Sequence, residues 1–355
     1  MNSKNEKPSF EIGVYTFGDI VPDPHTGNTV SAGQRLKEIL EAAKLADRLG
    51  LDVFGVGEHH RLDYAVSSPP VVLASIAQAT ERIRLTSTTT VLSTVDPVRL
   101  FEDFATLDLL SDGRAEVMAG RGAFIESFPL FGFDTADYDA LFEENSRLFR
   151  LLNEKGVVDW SGQYRSPLRN AEIAPRPVQP EIPFWIGVGG TPESAIRAGR
   201  LGAGMALAIL GGPLGRFQPF AELYREAGAK AGHDPDSLRV GVTGHGFLAE
   251  DGETARDTFY PYYSGYWAEV NRQRGMAFRI SREDFDQVTG PDNALFVGSA
   301  EEVTEKILRQ HEMFGHTRFL AQLDIGGQPY EQVARSIELL ATEVAPAVRK
   351  AIGSI

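Results

Sequence analysis

Four short clusters in this chain combine side chains that move protons or grip anions with glycines that let a ligand approach closely. The first is Gly57-Glu58-His59-His60. Histidine titrates near neutrality, so one of the pair can pass protons at ordinary pH. His and Glu are also metal ligands. Neighbouring side chains on an extended strand point to opposite sides, however, and no HExxH spacing backs a metal site. A purely structural histidine pair is the third option. The second cluster is RLTSTTTVL at 84–92. Its hydroxyls could bond the polar edge of a ring, although Thr is favoured in strands in any case. The third is Gly120-Arg121-Gly122. A fork-shaped cation between two glycines suits a phosphate, and a solvated Arg in a tight turn is the alternative. The fourth is Gly187-Val188-Gly189-Gly190-Thr191-Pro192-Glu193. Thr191 suits a helix N-cap and Pro192 a first helical turn, so free N–H groups and the helix dipole would together attract an anion. This is not GxGxxG, and no acidic residue follows as a ribose partner. One phosphate monoester, as in FMN, is more economical than a dinucleotide.

Those clusters need elements to hold them. The apolar pattern alternates between short β-like runs and longer helical stretches. Strands are expected at 11–17, from Asp52, at 83–92, 114–119, 183–188, 204–210, 239–249 and 318–324. Between them, Leu36, Ile39, Leu40, Ala43 and Ala46 recur with helical spacing, and Gly50 marks that helix's end. Further helices are expected at 69–80, 97–110, 137–155, from Thr191 and near 214–231. A closing helix carries Val333, Ile337, Leu340 and Val344 in register. Fully apolar strands separated by amphipathic helices argue for parallel strands buried on both faces. Eight such units favour a closed (β/α)8 TIM barrel with insertions over an open doubly wound sheet, and place the active face at the strands' C-terminal ends. All four clusters fall there. The reading is one domain over 1–355. Residues 1–9 are expected to be a flexible tail, 157–183 an excursion and 260–297 an insertion or lid.

Composition narrows the chemistry. There is no cysteine, hence no disulfide, thiolate nucleophile or Cys-ligated zinc. The net charge of −14 disfavours a nucleic-acid partner. No apolar run approaches the roughly 18 residues of a membrane span. The opening MNSKNEKPSF lacks the apolar centre of a signal peptide, so a cytoplasmic protein is expected.

Taken in order, GEHH, a Thr/Ser strand with DPVR, LDLLSDGR, AGRG and FWIGVGGTPES resemble the luciferase-like flavin monooxygenase family. The resemblance runs from Glu11 to about Gly204, with weaker echoes beyond. It implies a barrel that binds reduced FMN at its C-terminal mouth. His59 then matches the family's catalytic histidine. Thr88–Thr89 falls where many members have a non-prolyl cis peptide beneath the isoalloxazine ring. Gly120 falls near the flavin's reactive edge, leaving room for oxygen or substrate. Arg121, Gly122, Val188, Gly189, Gly190 and Thr191 match the phosphate-contacting segments. The stretch from Phe124 to Phe128 lies where members vary by substrate, so both phenylalanines are assigned to a substrate pocket. No metal is implied. The activity implied is a two-component monooxygenase, in which O2 and reduced FMN from a separate NAD(P)H:flavin reductase oxidise a small organic molecule. F420-dependent hydride transfer on the same barrel is the alternative, and a non-catalytic flavin-binding protein is another. Family habit implies a homodimer through the early helices. The loop at 21–34 and the insertion at 260–297 match no member of known substrate.

Overall fold

The computed structural model describes residues 10–122, 124–273 and 275–353. The tail expected at 1–9 lies outside the described residues. In chain order the first half contains β1 (Glu11–Thr16), α1 (Ala32–Arg48), β2 (Val53–Val56), α2 (Pro69–Ala77), β3 (Arg84–Ser87), the short β4 (Thr90–Val91), α3 (Pro97–Leu110) and β5 (Ala115–Gly120). Then come α4 (Ser127–Phe131), α5 (Tyr138–Glu154), β6 (Val157–Trp160), β7 (Leu168–Glu172), β8 (Phe184–Val188), α6 (Pro192–Leu201), β9 (Gly204–Ile209), α7 (Gln218–Lys230) and β10 (Val240–Leu248). The last part holds α8 (Gly252–Gln273), α9 (Arg282–Thr289), β11 (Phe296–Gly298), α10 (Ala300–Phe314), β12 (Arg318–Gln322), α11 (Tyr330–Leu339) and α12 (Ala345–Ile352).

Strands β1, β2, β3, β5, β8, β9, β10 and β12 pair side by side, every pair parallel, and β12 returns to β1. The sheet is therefore the closed eight-stranded barrel expected from the alternation. Caps explain why the helices begin where they do. Ser31 accepts from Gln34 N at the start of α1, Asp96 accepts from Val98 N and Arg99 N ahead of Pro97, and Ser299 and Glu302 form a capping box for α10. Gly50, at φ +80°, follows α1 as its spacing predicted.

Inside the barrel, Tyr15, Val53, Met118, Trp185, Ala206 and Leu320 pack as one cluster, one residue from each of six strands. Beneath them, toward the strands' N-terminal ends, buried Arg318 bonds buried Glu116 (Nη2 to Oε1, 3.0 Å) and Glu11 (Nε to Oε2, 2.7 Å). Arg84 joins both carboxylates, at 3.2 Å and 2.8 Å. The Arg318 guanidinium lies 4.3 Å from the Trp185 ring centroid. That end is shut by paired charge.

Three local expectations change. The strand expected over 83–92 stops at Ser87, where the Thr88–Thr89 peptide is cis, and resumes as β4 beside Ala119 and Gly120. The excursion before β8 is an antiparallel hairpin, β6 with β7. The insertion begins inside α8, which starts at Gly252, before 260, and ends in β11, which adds to β10 outside the closed ring. The insertion also meets the 21–34 loop, with His25 and Tyr262 ring centroids 5.4 Å apart. Among the described residues, no helix is long and apolar enough to cross a membrane.

Candidate functional site

A cavity of about 340 Å³ opens at the strands' C-terminal ends, within the ordinary size range of ligand sites (roughly 300–1,000 Å³). It gathers the end of β2 (Glu58, His59, His60), the cis pair Thr88–Thr89, the end of β5 (Gly120, Arg121, Gly122) and the end of β8 (Gly187, Gly189). The four clusters, separated by up to 130 residues in sequence, thus share one cavity.

His59 and His60 diverge, as neighbours on extended chain should. His59 stacks on Tyr64 (centroids 4.1 Å apart, planes 12° apart) and is flanked by Phe17 and Phe124. Its Nδ1 is buried without a hydrogen-bond partner, which leaves Nε2 as the nitrogen available to the cavity. Burial, reinforced by the Arg61 cation, pushes its pKa down to about 3. The sequence placed this imidazole near neutrality, but the aromatic cage removes the water that would stabilise the charged form. His60 Nε2 instead bonds Glu58 Oε1 at 2.8 Å, while Glu58 Oε2 accepts from Val91 N. Among the described residues there is no cluster of His, Asp and Glu able to hold a metal ion.

Glycines explain how the cis pair fits. A Cβ on Gly55 would lie 2.5 Å from Thr88 Cγ2, one on Gly57 2.8 Å from the Thr88 carbonyl oxygen, and one on Gly120 2.5 Å from Thr89 Oγ1. Gly120 was expected to leave room for oxygen or substrate. It lines the cavity, and the direction in which a Cβ would point is taken by the Thr89 side chain. Thr88 Oγ1 is buried with no partner.

On the other side, Arg121 ties two loops together. Its Nη2 donates to Thr191 Oγ1 at 2.8 Å and its Nη1 to Asp139 Oδ1 at 2.7 Å, with the guanidinium 5.1 Å from the Tyr138 ring centroid. Tyr138 in turn donates to the Gly122 carbonyl at 2.7 Å. Thr191 stands at the N-cap position of α6, but its hydroxyl does not cap the helix. It serves Arg121 and the Ser194 hydroxyl (2.8 Å) instead. Gly189 faces open space, with nothing within 4 Å of where a Cβ would stand. Gly190 has φ +144°, a conformation that excludes most side chains. Val188 is fully buried and does not line the cavity. Phe124 lines the cavity, whereas Phe128 does not. It is fully buried behind Tyr138, stacked at 5.5 Å, and supports the wall from outside.

The remaining lining was not singled out from sequence. Tyr15 and Met118 form the floor, Ala206, Ala208 and Leu210 come from β9 and its end, Thr243 and His245 from β10, and Tyr266, Trp267 and Val270 from α8. Tyr266 and Tyr64 hydroxyls meet at 3.1 Å, joining the insertion to the His59 stack. His245 had a visible signal, a histidine between two glycines in an otherwise apolar strand. The α8 residues had none, because their helix packs over the mouth from a distant part of the chain.

A parallel eight-stranded barrel whose mouth holds an anchored arginine, glycine-rich strand ends and an aromatic-walled cavity defines a class of cofactor-binding barrel proteins. The sequence matches the model of luciferase-like monooxygenases over residues 10–317, and the chain belongs to that family. Among its relatives is the oxygenase component of a flavin-dependent trigonelline monooxygenase of Acinetobacter baylyi, 24% identical, with 88% of this chain and 90% of that protein covered. An F420-dependent glucose-6-phosphate dehydrogenase of Amycolatopsis mediterranei is 32% identical over 47% of this chain and 52% of its own length. The crystal structure of the monooxygenase RslO1 from Streptomyces bottropensis superposes with a TM-score of 0.81 at 28% identity, covering 95% of this chain and 99% of that one.

Proposed function

We propose that this chain is the oxygenase of a two-component monooxygenase that takes reduced FMN from a separate reductase and oxidises a small organic molecule with O2. The observation that carries the reading is the Arg121–Thr191 bond. It brings the post-β5 cation and the glycine-rich loop before α6 to one side of the cavity that also contains the cis Thr88–Thr89 pair and His59. The residues fit the cofactor: a guanidinium and backbone beside Gly189 and Gly190 suit a phosphate, and the unpartnered Thr88 hydroxyl suits the polar edge of a ring.

When bound, the flavin supplies two electrons and the reactivity toward O2; the chain supplies placement and dryness. Arg121, steadied by Thr191, Asp139 and Tyr138, holds the phosphate end. Tyr64, Phe124, Tyr266 and Trp267 exclude water from the other end. His59, neutral at ordinary pH, turns Nε2 to the cavity as a neutral hydrogen-bonding group rather than a charged acid. A homodimer through the early helices fits the exposed Val71 of α2 and Leu109 and Leu110 of α3; gel filtration of the dilute protein at the monomer's volume would remove it.

Fluorescence titration with FMN, riboflavin and F420 tests the central reading. Expected are tight FMN binding, weaker riboflavin binding for want of a phosphate, and F420 binding weaker than FMN. Tighter F420 binding would move the protein to its hydride-transferring relatives' chemistry. His59→Gln should keep FMN affinity yet lose substrate oxidation with a generic flavin reductase. Full turnover by that variant would leave His59 without a catalytic role.

A further inference from the structure

The cavity has its charged side chains on one side, and the other side contains a buried histidine whose Nδ1 has no partner. His245 sits on β10, two residues beyond Thr243 and so on the same face. It is 2% exposed, lines the cavity, and packs against the rings of Tyr263 (6.1 Å) and Trp267 (6.3 Å) from α8. The formally charged side chains on the lining, Glu58, Arg121 and Glu126, belong to the β2 and β5 ends. Around His245, the described lining is Ala206, Ala208, Leu210, Thr243, Trp267 and Val270. Register pairs Ala208 with Thr243, so the small side chains of β9 leave width beside the imidazole.

Its Nδ1 is buried without a partner. Burial drives the ring's pKa down to about 3, so it is neutral and has one N–H and one lone pair. An orphaned buried N–H is rarer in proteins than an orphaned acceptor, which assigns the lone pair to Nδ1 and the proton to Nε2. A neutral N–H donor is thus offered to the cavity from a wall without charged side chains, whose other polar groups are the Thr243 hydroxyl and the Trp267 indole N–H.

We propose that this wall selects an uncharged, predominantly hydrocarbon substrate bearing one oxygen acceptor, a carbonyl or ether-like oxygen that His245 Nε2–H holds beneath α8. His245 is in this sense a substrate-binding and specificity-determining residue, and the role rests on the reading of the opposite side as the flavin's. A site built to bond an oxygen rejects an analogue lacking it far more strongly than an apolar pocket discriminates by size. Charged analogues are rejected because nothing on this wall compensates a buried charge.

Acetophenone and α-methylstyrene differ in one oxygen at almost constant shape, and they provide the test. Binding to FMN-loaded protein is read from the flavin absorbance. Acetophenone should bind at least about tenfold more tightly than α-methylstyrene, and benzoate and 1-phenylethylamine at least about tenfold more weakly than the ketone. His245→Phe should erase the ketone's advantage and leave FMN affinity unchanged. His245→Gln, which keeps a donor, should restore most of it. Equal binding of ketone and hydrocarbon by the unmutated protein, survival of the preference in His245→Phe, or tighter binding of benzoate would each overturn the proposal. Failure of the unmutated protein to bind FMN would count against the flavin reading instead. The same pair would then be compared on flavin-free protein through tryptophan fluorescence, with the same preference and the same loss in His245→Phe required.

Discussion

The two ends of the barrel differ in how their charged and ligand-facing polar groups are satisfied. At the N-terminal end, Glu116 and Arg318 are each 1% exposed, and the polar atoms of both are engaged with each other, with Glu11 or with Arg84. At the C-terminal end, His59 Nδ1, His245 Nδ1 and the hydroxyls of Thr88 and Thr90 are buried without partners. Unmatched buried polar groups cost stability; others occur elsewhere, as at Trp185 Nε1 and both His316 ring nitrogens, but those of His59, Thr88 and His245 belong to residues lining the cavity, where a ligand can complete them.

The largest effect that would break this contrast is on the floor. Glu116→Ala would leave the Arg318 cation buried without its main partner, and should cost about 3–5 kcal/mol in urea denaturation. A loss below about 1 kcal/mol would mean that water reaches the floor and the pairing there is not structural.

Acid should separate the ends next. Burial alone would raise the Glu116 carboxyl, but Arg318, Arg84 and Arg239 outweigh it and hold it below its usual range. Its contribution is therefore complete above the ordinary carboxylate pKa of about 4.3 and lost only as pH falls further. His59 and His245 have folded values of about 3, below the unfolded histidine value of about 6.5. Between these limits the unfolded chain binds more protons, so stability rises with pH, and the histidines' contribution begins to fall as soon as pH drops below about 6.5. Thermal unfolding of the His59→Phe/His245→Phe double variant should show a shallower slope than the unmutated protein between pH 6.5 and 4. Parallel curves would show that these rings are hydrated.

Arg121→Ala should weaken FMN by about 10- to 100-fold, the loss of a charge-assisted hydrogen bond of about 1.5–3 kcal/mol, and should leave riboflavin affinity almost unchanged. Equal losses for both ligands would place the phosphate elsewhere. The smallest effect belongs to Phe128, one layer behind the cavity. Phe128→Leu should cost about 1 kcal/mol of stability for a conservative core change and leave FMN affinity within about twofold. A clear change in ligand affinity would put Phe128 back on the substrate wall.

Much of the frame was legible before folding was considered. Alternation of apolar strands with amphipathic helices is a local, periodic signal, and it gave the barrel and its active end. Glycines beside Arg121 and Thr191 were equally visible because close backbone approach leaves few other residues possible. Roles that depend on a neighbour across space were less legible. Thr191 reads as a helix cap, yet its hydroxyl is taken by an arginine 70 positions away. Gly120 reads as room for a ligand, and that no Cβ could stand there beside Thr89 shows only in the assembled structure. Phe128 reads as a pocket residue, yet its ring turns to the far side of Tyr138.

The sequence by itself determined the architecture, the face that carries chemistry and the residue types available there, because periodicity and backbone constraints act over a few residues. Only the tertiary structure decided that His59 is caged and neutral, that Arg121 is clamped to the loop after β8, and that α8 lays Tyr266 and Trp267 beside His245. Those outcomes depend on burial and on contacts between segments up to about two hundred residues apart, and desolvation is a property of the assembled surroundings rather than of any residue's own chemistry.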